Sequence, residues 1–361
     1  MSAADHAPFA PSSMSMLMAC AGSFRMRKLY PEPDDSPHAM EGVAAHHVCA
    51  EALKGRWMAV GELCPNGIAV TEEMIEGAEM YAQAVEPYAE SAWIEQPVSC
   101  ASLHSDCFGT PDFMQITANR IVVADYKFGH RHVEVFENWQ LITYAAANAS
   151  ADPSTEVILI VVQPRSYHRD GPVRTWRTTV MDLRKYWRDI AHRITEAQSE
   201  SAQCTPSPAC LDCSARHACM AAQESALAAM DVATSSIPLE LTEEALSLEL
   251  RMTRRLRAIL DARIDGLEEQ AFSLLRGGKA VPGFTLQAGS GRERWSKPID
   301  EIVALGLAMG IDLAKPGAIT PKQAVKAGMP IEVVKAYAET PVGEVKLAES
   351  DERQLRKVFS A

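Results

Sequence analysis

The spacing of apolar positions changes period along the first half of the chain, and the changes mark out the predicted elements. After a loop-rich start over 1–35, with one helical stretch around 14–29, residues 40–55 read as a helix carrying Ala44, Val48, Ala52 and Leu53 on one face. A second helix over 71–92 opens on Glu72 and Glu73, acids that suit the positive end of a helix dipole. The period then shortens to two. Segments 94–101, 109–116 and 121–127 read as strands, with Thr117-Ala118-Asn119-Arg120 as a tight turn between the last two. An alanine-rich helix over 138–149 is followed by a buried strand over 156–163, built on Val157-Ile158-Leu159-Ile160-Val161-Val162. Strand, helix, strand in that order implies a right-handed crossover and a parallel pair. The expected fold class is therefore α/β (α+β), with a mixed central sheet flanked by helices.

The second half is more helical. A helix over 182–199 leads into a cysteine-rich segment at 204–219, and Thr234-Ser235-Ser236-Ile237-Pro238 reads as a linker. A long helix then runs from about 242 to Gly277-Gly278. Its apolar positions, from Leu246 and Leu250 through Leu256, Leu260, Ile264, Leu267, Ala271 and Leu274, step by three or four apart from a gap at Thr253. Two domains are expected: 1–225, holding the sheet and the cysteines, and a mostly helical 236–361 serving DNA contact or oligomerisation.

Composition narrows the function classes. With 361 residues, 47% hydrophobic and 23% charged, the chain suits a soluble protein with about two cores. No apolar run reaches the length of a membrane span, so no membrane association is expected. Leu17-Met18-Ala19-Cys20 has the look of a lipoprotein cleavage site, yet no basic residue and no apolar core precede it. A cytoplasmic chain is the expectation, in the host cytoplasm if phage-encoded. A net charge of −12 argues against coating nucleic acid by bulk attraction, although screening over about 10 Å leaves room for a local basic groove. Nine cysteines without an export signal point to metal or cluster ligation rather than a disulfide framework.

Candidate chemistry centres on Asp125-Tyr126-Lys127. Strand periodicity puts the acid and the lysine on one face. Asp112, in Gly109-Thr110-Pro111-Asp112-Phe113, lies on the preceding strand. Pairing of the two strands would bring both carboxylates to one end of the sheet. Such a pair repels itself unless a cation intervenes, and oxygen ligands suit Mg²⁺ or Mn²⁺. His46 would add a nitrogen and favour Mn²⁺. Gln140 and Tyr144, four apart, share a helix face. Each feature alone has an ordinary explanation: a solvated strand edge, a turn, a surface histidine beside His47. Their order along the chain favours a site.

The cysteines give Cys210-x₂-Cys213-x₅-Cys219, three thiolates needing a fourth ligand, with Cys204 and Cys20 as candidates and structural zinc as the general reading. Cys49, Cys64, Cys100 and Cys107 read as small buried residues. Arg165, His168, Arg169, Arg174, Arg177, Arg184, Lys185, Arg188 and Arg193, interleaved with Tyr167, Trp176, Tyr186 and Trp187, suit a single-strand track or duplex end, or else a solvated face with aromatic anchors. Two further basic groups, Arg251, Arg254, Arg255 and Arg257, then Arg292, Arg294 and Lys297 with Trp295, lie downstream.

Taken together, Gly42-Val43-Ala44-Ala45-His46, the Asp112 segment, Asp125-Tyr126-Lys127 and Gln140-Leu141-Ile142-Thr143-Tyr144 resemble the RecB-like branch of the PD-(D/E)XK nuclease superfamily over about residues 12–220. Lambda-type exonucleases and the nucleases of CRISPR adaptation are relatives of that branch. The resemblance implies that His46, Asp112, Asp125 and the backbone carbonyl of Tyr126 hold the metal, with Lys127 activating. Gln140 and Tyr144 would position Lys127 and the DNA strand. It also implies a 4Fe–4S cluster on Cys20, Cys210, Cys213 and Cys219, with zinc the lesser alternative. The layout of the whole chain, including Pro282-Gly283-Phe284 and the later Arg292, Arg294 and Trp295, is similar to an uncharacterised family of phage and prophage proteins.

The resulting expectation is a Mg²⁺- or Mn²⁺-dependent DNA exonuclease acting in phage recombination or DNA turnover. DNA is the expected partner; a single-strand annealing or binding protein and a second copy of the chain are further candidates. The alternatives are a non-catalytic DNA-end-binding recombination scaffold and a zinc-stabilised DNA-binding regulatory protein.

Overall fold

The computed structural model describes residues 7–31, 37–166, 171–234, 241–290, 294–313, 320–339 and 342–349. Four helices come first: α1 (Met14–Ala19), α2 (Ser23–Leu29), α3 (Pro37–Leu53) and α4 (Glu72–Val85). The strands β1 (Trp93–Ile94), β2 (Val98–Ser99), β3 (Phe108–Gly109), β4 (Phe113–Ile116) and β5 (Arg120–Tyr126) follow. Next come α5 (Trp139–Ala145), β6 (Glu156–Val162), β7 (Val173–Thr179), α6 (Val180–Gln198), α7 (Met220–Thr234) and α8 (Glu243–Arg276).

Five of the strands form one mixed sheet in the order β1-β4-β5-β6-β7. The β5–β6 pair is parallel, as the strand–helix–strand order requires, and the other neighbours are antiparallel. Each central strand is apolar on both sides because both faces of the sheet are covered. One face buries Ile121, Val123, Leu159 and Val161 against Leu141 and Ile142 of α5 and Leu183 and Ile190 of α6. The other buries Val122, Ala124, Ile158 and Ile160 against Ala45 and Val48 of α3 and Met74 and Tyr81 of α4.

Several elements differ from the sequence expectation for identifiable reasons. The helix at 14–29 is broken in two by a turn at Cys20-Ala21-Gly22. The strands at 94–101 and 109–116 are each interrupted, β1 and β4 joining the main sheet while β2 and β3 pair only with each other. Pro97 and Pro111, which lack a ladder donor, sit at the breaks. Strand β7 was hidden in the basic stretch, because the inward-facing Arg174 takes the place of an apolar residue. Its guanidinium donates to the carbonyls of Gly171 (2.9 Å) and Val133 (2.9 Å) and to Gln163 Oε1 (2.8 Å).

The chain divides into two compact units, Met1–Gly266 and Leu267–Ala361, with the division inside α8. The linker expected at 234–238 does not coincide with it, and 235–238 lie outside the described residues. In the second unit, α9 (Ile299–Ala308), α10 (Pro321–Lys326) and α11 (Ile331–Tyr337) enclose Ile302, Leu313, Ala324, Met329 and Val334. Beside them, β8 (Phe284–Ser290) pairs with β11 (Val342–Glu349), and β9 (Arg294–Trp295) with β10 (Ala338–Glu339). Among the described residues no helix is long and apolar enough to cross a membrane.

One close approach fixes how α4 lies on the sheet. The fully buried Tyr126 ring stacks toward α4, and a Cβ at Gly77 would overlap its hydroxyl. Gly77→Ala is expected to lower stability by about 1–3 kcal/mol, the usual cost of overpacking. Tyr126→Phe in the Gly77→Ala background should recover part of that loss. Urea unfolding of the two single variants and the double variant measures the coupling.

Candidate metal centre

Register brings the two acids together. Phe113 of β4 pairs with Ala124 of β5, so Asp112, one residue earlier, falls beside Asp125, one residue later. Asp112 is held there from two directions: its Oδ2 accepts the Tyr126 backbone N–H at 2.7 Å, and its Oδ1 lies 3.1 Å from His46 Nδ1. His46 comes from α3, on the opposite face of the sheet from α5, and reaches the strand ends edge-on to the Tyr126 ring.

Asp125, 5% exposed, is held on the α5 side. Lys127 Nζ lies 3.2 Å from its Oδ1 and 3.0 Å from its Oδ2. Gln140 closes a triangle, donating from Nε2 to Asp125 Oδ1 at 2.8 Å and accepting from Lys127 at 3.2 Å. The Asn138 side chain caps α5 by accepting the Leu141 N–H, which sets Gln140 in the first turn. Asp125 Oδ2 is buried and, although close to Lys127, makes no hydrogen bond of proper geometry. Tyr144 acts elsewhere than expected. Its hydroxyl donates to the Thr110 carbonyl at 3.0 Å, so it ties the segment before Asp112 to α5, while the hydrogen bonds of Lys127 go to Asp125 and Gln140.

The structure adds Glu95, a residue the sequence reading passed over. One ligand atom from each of His46, Glu95 and Asp112 lies within 4.8 Å of the other two. No motif spacing announces Glu95. The only available hint was the acid between an apolar pair and Pro97, just where β1 ends.

Crowding of these charges shows in their proton affinities. Burial would pull the His46 imidazole down, but the charge and hydrogen bond of Asp112 and the charge of Asp125 outweigh it, and the net shift is upward. For Asp112, burial is overcome by the charge and hydrogen bond of His46, the Tyr126 N–H and the charge of Lys127, so its carboxyl is lowered. Burial, with repulsion from Asp112, leaves Asp125 raised despite Lys127. Glu95 is pushed up to about 7, chiefly by burial and then by the charge of Asp112.

The cysteine set also converges. Cys20, Cys204, Cys210, Cys213 and Cys219 line one pocket between α1, α2 and the segment before α7. Cys20 Sγ accepts the Thr205 N–H at 3.3 Å, and Cys210 Sγ the Ser207 N–H at 3.4 Å. The Cys204 thiol contacts both Cys219 and Cys20, and burial together with their charge pushes it up to about 12. Gly22 leaves the room: a Cβ there would stand 2.7 Å from Cys204 Sγ. Cys49, Cys64, Cys100 and Cys107 are buried away from this pocket.

The chain matches, over residues 6–354, the family described as "Protein of unknown function (DUF2800)". It belongs to that family.

The basic residues fare unevenly as a nucleic-acid surface. Arg165 is engaged by Glu41 and Glu73 at 2.8 Å each and lies over the Phe128 ring. Arg174 is buried, and Arg177 pairs with Glu156 at 2.7 Å. Arg184, Lys185 and Arg188 are exposed on α6 and line an open cleft with Ser102 and Ala149. Arg169 and His168 lie outside the described residues.

The shift at Glu95 sets a pH dependence. Its folded-state affinity for a proton, near pH 7, exceeds the ordinary carboxylate value of 4.5. The folded state therefore binds more protons between these limits, and this contribution to stability is lost as pH rises from about 4.5 to 7. In chelator-treated protein, Glu95→Gln should flatten that decline by up to about 2 kcal/mol, read from urea unfolding at pH 5 and pH 7.5.

Proposed function

We propose that this protein is a metal-dependent DNA exonuclease of the RecB-like PD-(D/E)XK type, stabilised by a 4Fe–4S cluster. The observation that carries the reading is the meeting of His46, Asp112, Asp125, Lys127 and Gln140, from α3, β5, α5 and the approach to β4, at one end of the sheet.

The donor set fits a hard divalent cation such as Mg²⁺ or Mn²⁺. Two clustered carboxylates and an imidazole supply the charge and ligand atoms, and buried Asp125 Oδ2 is left without a hydrogen bond. Asp112, Asp125, His46 and the Tyr126 carbonyl are the groups that would hold it. Such a cation supplies Lewis-acid stabilisation of charge on the scissile phosphate and acidifies a water. Lys127 then orients the attacking water and offsets the negative charge growing on the phosphate, as preorganised cations do. Gln140 keeps Lys127 and Asp125 in register, and Tyr144 keeps the Asp112 segment in place.

The cysteine pocket gathers the thiols that the resemblance assigns to a cluster: Cys20, Cys210, Cys213 and Cys219 line it together with Cys204. Four thiolates are the usual ligands of a 4Fe–4S group, whose positive irons would favour the deprotonated form that burial chiefly opposes. Arg184, Lys185 and Arg188, exposed along one cleft, are the cations proposed to meet a DNA backbone.

Two outcomes are expected. Protein purified without oxygen and incubated with end-labelled linear DNA should degrade it only with Mg²⁺ or Mn²⁺, and Lys127→Ala should slow this by about 10²–10³-fold, the scale for removing one charge-stabilising group. Intact DNA under every condition would overturn the assignment. The same preparation should be brown, and Cys213→Ser should lose its visible absorption and bound iron together.

A further inference from the structure

We propose that Glu95 is a further ligand of the cation centre, contributing a carboxylate oxygen beside those of His46 and Asp112. The inference rests on the cation-dependent reading above and adds a residue outside the segments that carry the nuclease resemblance.

Three observations carry it. First, the Glu95, His46 and Asp112 tips gather within 4.8 Å of one another, a spacing that suits a common cation and would otherwise force two carboxylates into repulsion. Second, Glu95 sits on left-handed backbone, φ +49°, at the end of β1, and its N–H reaches the Asp112 carbonyl at 3.3 Å. A glutamate rarely adopts that conformation, and local strain of this kind clusters at functional sites. Here it ends the edge strand abruptly and brings the Glu95 carboxylate to Asp112. Third, the Glu95 carboxylate, open to solvent on one side, has no hydrogen bond or ion pair among the described residues, so its oxygens are free to take a ligand. Nearby, the buried Asp125 Oδ2 is likewise without a hydrogen bond. A buried carboxylate oxygen whose hydrogen bonding is incomplete, as at Asp125 Oδ2 beside Lys127, is costly, and a divalent cation shared with Glu95 would complete it.

The test is Mn²⁺ titration of full-length, chelator-stripped protein by calorimetry and by the loss of the free-Mn²⁺ paramagnetic signal. Glu95→Gln keeps the shape and removes the charge, and should weaken Mn²⁺ binding about tenfold or more. Glu95→Asp, retaining a carboxylate, should recover most of the affinity. Should Glu95→Gln fail to fold, Glu95→Asn, which tolerates left-handed backbone, takes its place with the same expected loss. An affinity for Mn²⁺ within about twofold of the unsubstituted protein would overturn the proposal. Wild-type protein that binds no Mn²⁺ sinks this inference and the catalytic reading together. Mn²⁺ binding that depends on Glu95, in a protein that leaves DNA intact, sinks only the nuclease assignment. DNA cleavage with Mn²⁺ affinity indifferent to Glu95 sinks only the role given to this residue.

Discussion

The Asp112 carboxylate accepting the Tyr126 backbone N–H is the contact on which the arrangement of the site depends. It extends the β4–β5 ladder past the last paired residue by replacing a backbone carbonyl with a side chain. That substitution fixes Asp112 at the mouth of the sheet while leaving its second oxygen to face His46. Because Tyr126 lies between Asp125 and Lys127, the same bond aligns the strand segment that carries both. On the other face, the Tyr126 ring packs against Tyr81 and Phe128, so the core of the α3–α4 layer anchors the backbone that the acids share.

Concentrating like charge at the end of a hydrophobic sheet opposes folding unless something compensates. Lys127 offsets part of it, while burial, reinforced by the charge of Asp112, still shifts Asp125 and Glu95 upward. A cation bound there would relieve this crowding, as the proposed hydrolytic role requires. At Cys204, burial chiefly, with the nearby Cys219 and Cys20, pushes the thiol upward, and the proposed cluster would reverse that shift.

The cysteine segment is held by elements far apart in sequence. Gly22 donates to the Gln203 carbonyl at 3.0 Å, and Ser214 donates to the Tyr30 carbonyl at 2.6 Å, joining the N-terminal helices to the segment after α6. The first part of α8 packs on the other side: Arg255 donates to the Pro206 carbonyl at 3.2 Å, Arg263 to that of His217, and Gly266 allows the chain at His217 to approach closely. The face of α8 that does this contains Ile259 and Ala262, buried between those arginines. What reads in isolation as a long amphipathic helix with a basic patch thus has a specific structural task.

The sequence by itself determined the elements whose pattern is local. The apolar runs of β5 and β6, the helix between them and the parallel pairing they imply, and the positions of His46, Asp112, Asp125, Lys127 and Gln140 were all legible, because period and spacing are short-range properties. Tertiary structure decided what depends on neighbours distant in the chain. It turned Arg174 inward to hide a strand, because partners at Val133, Gln163 and Gly171 satisfied its guanidinium. It sequestered Arg165 between Glu41 and Glu73, over a hundred residues and about ninety residues away. It set Tyr144 against Thr110 rather than Lys127, and it brought Glu95 to the acids through a backbone turn that no motif encodes. Long-range hydrogen bonds and charge pairing have no periodicity to read, so only the folded chain reveals them.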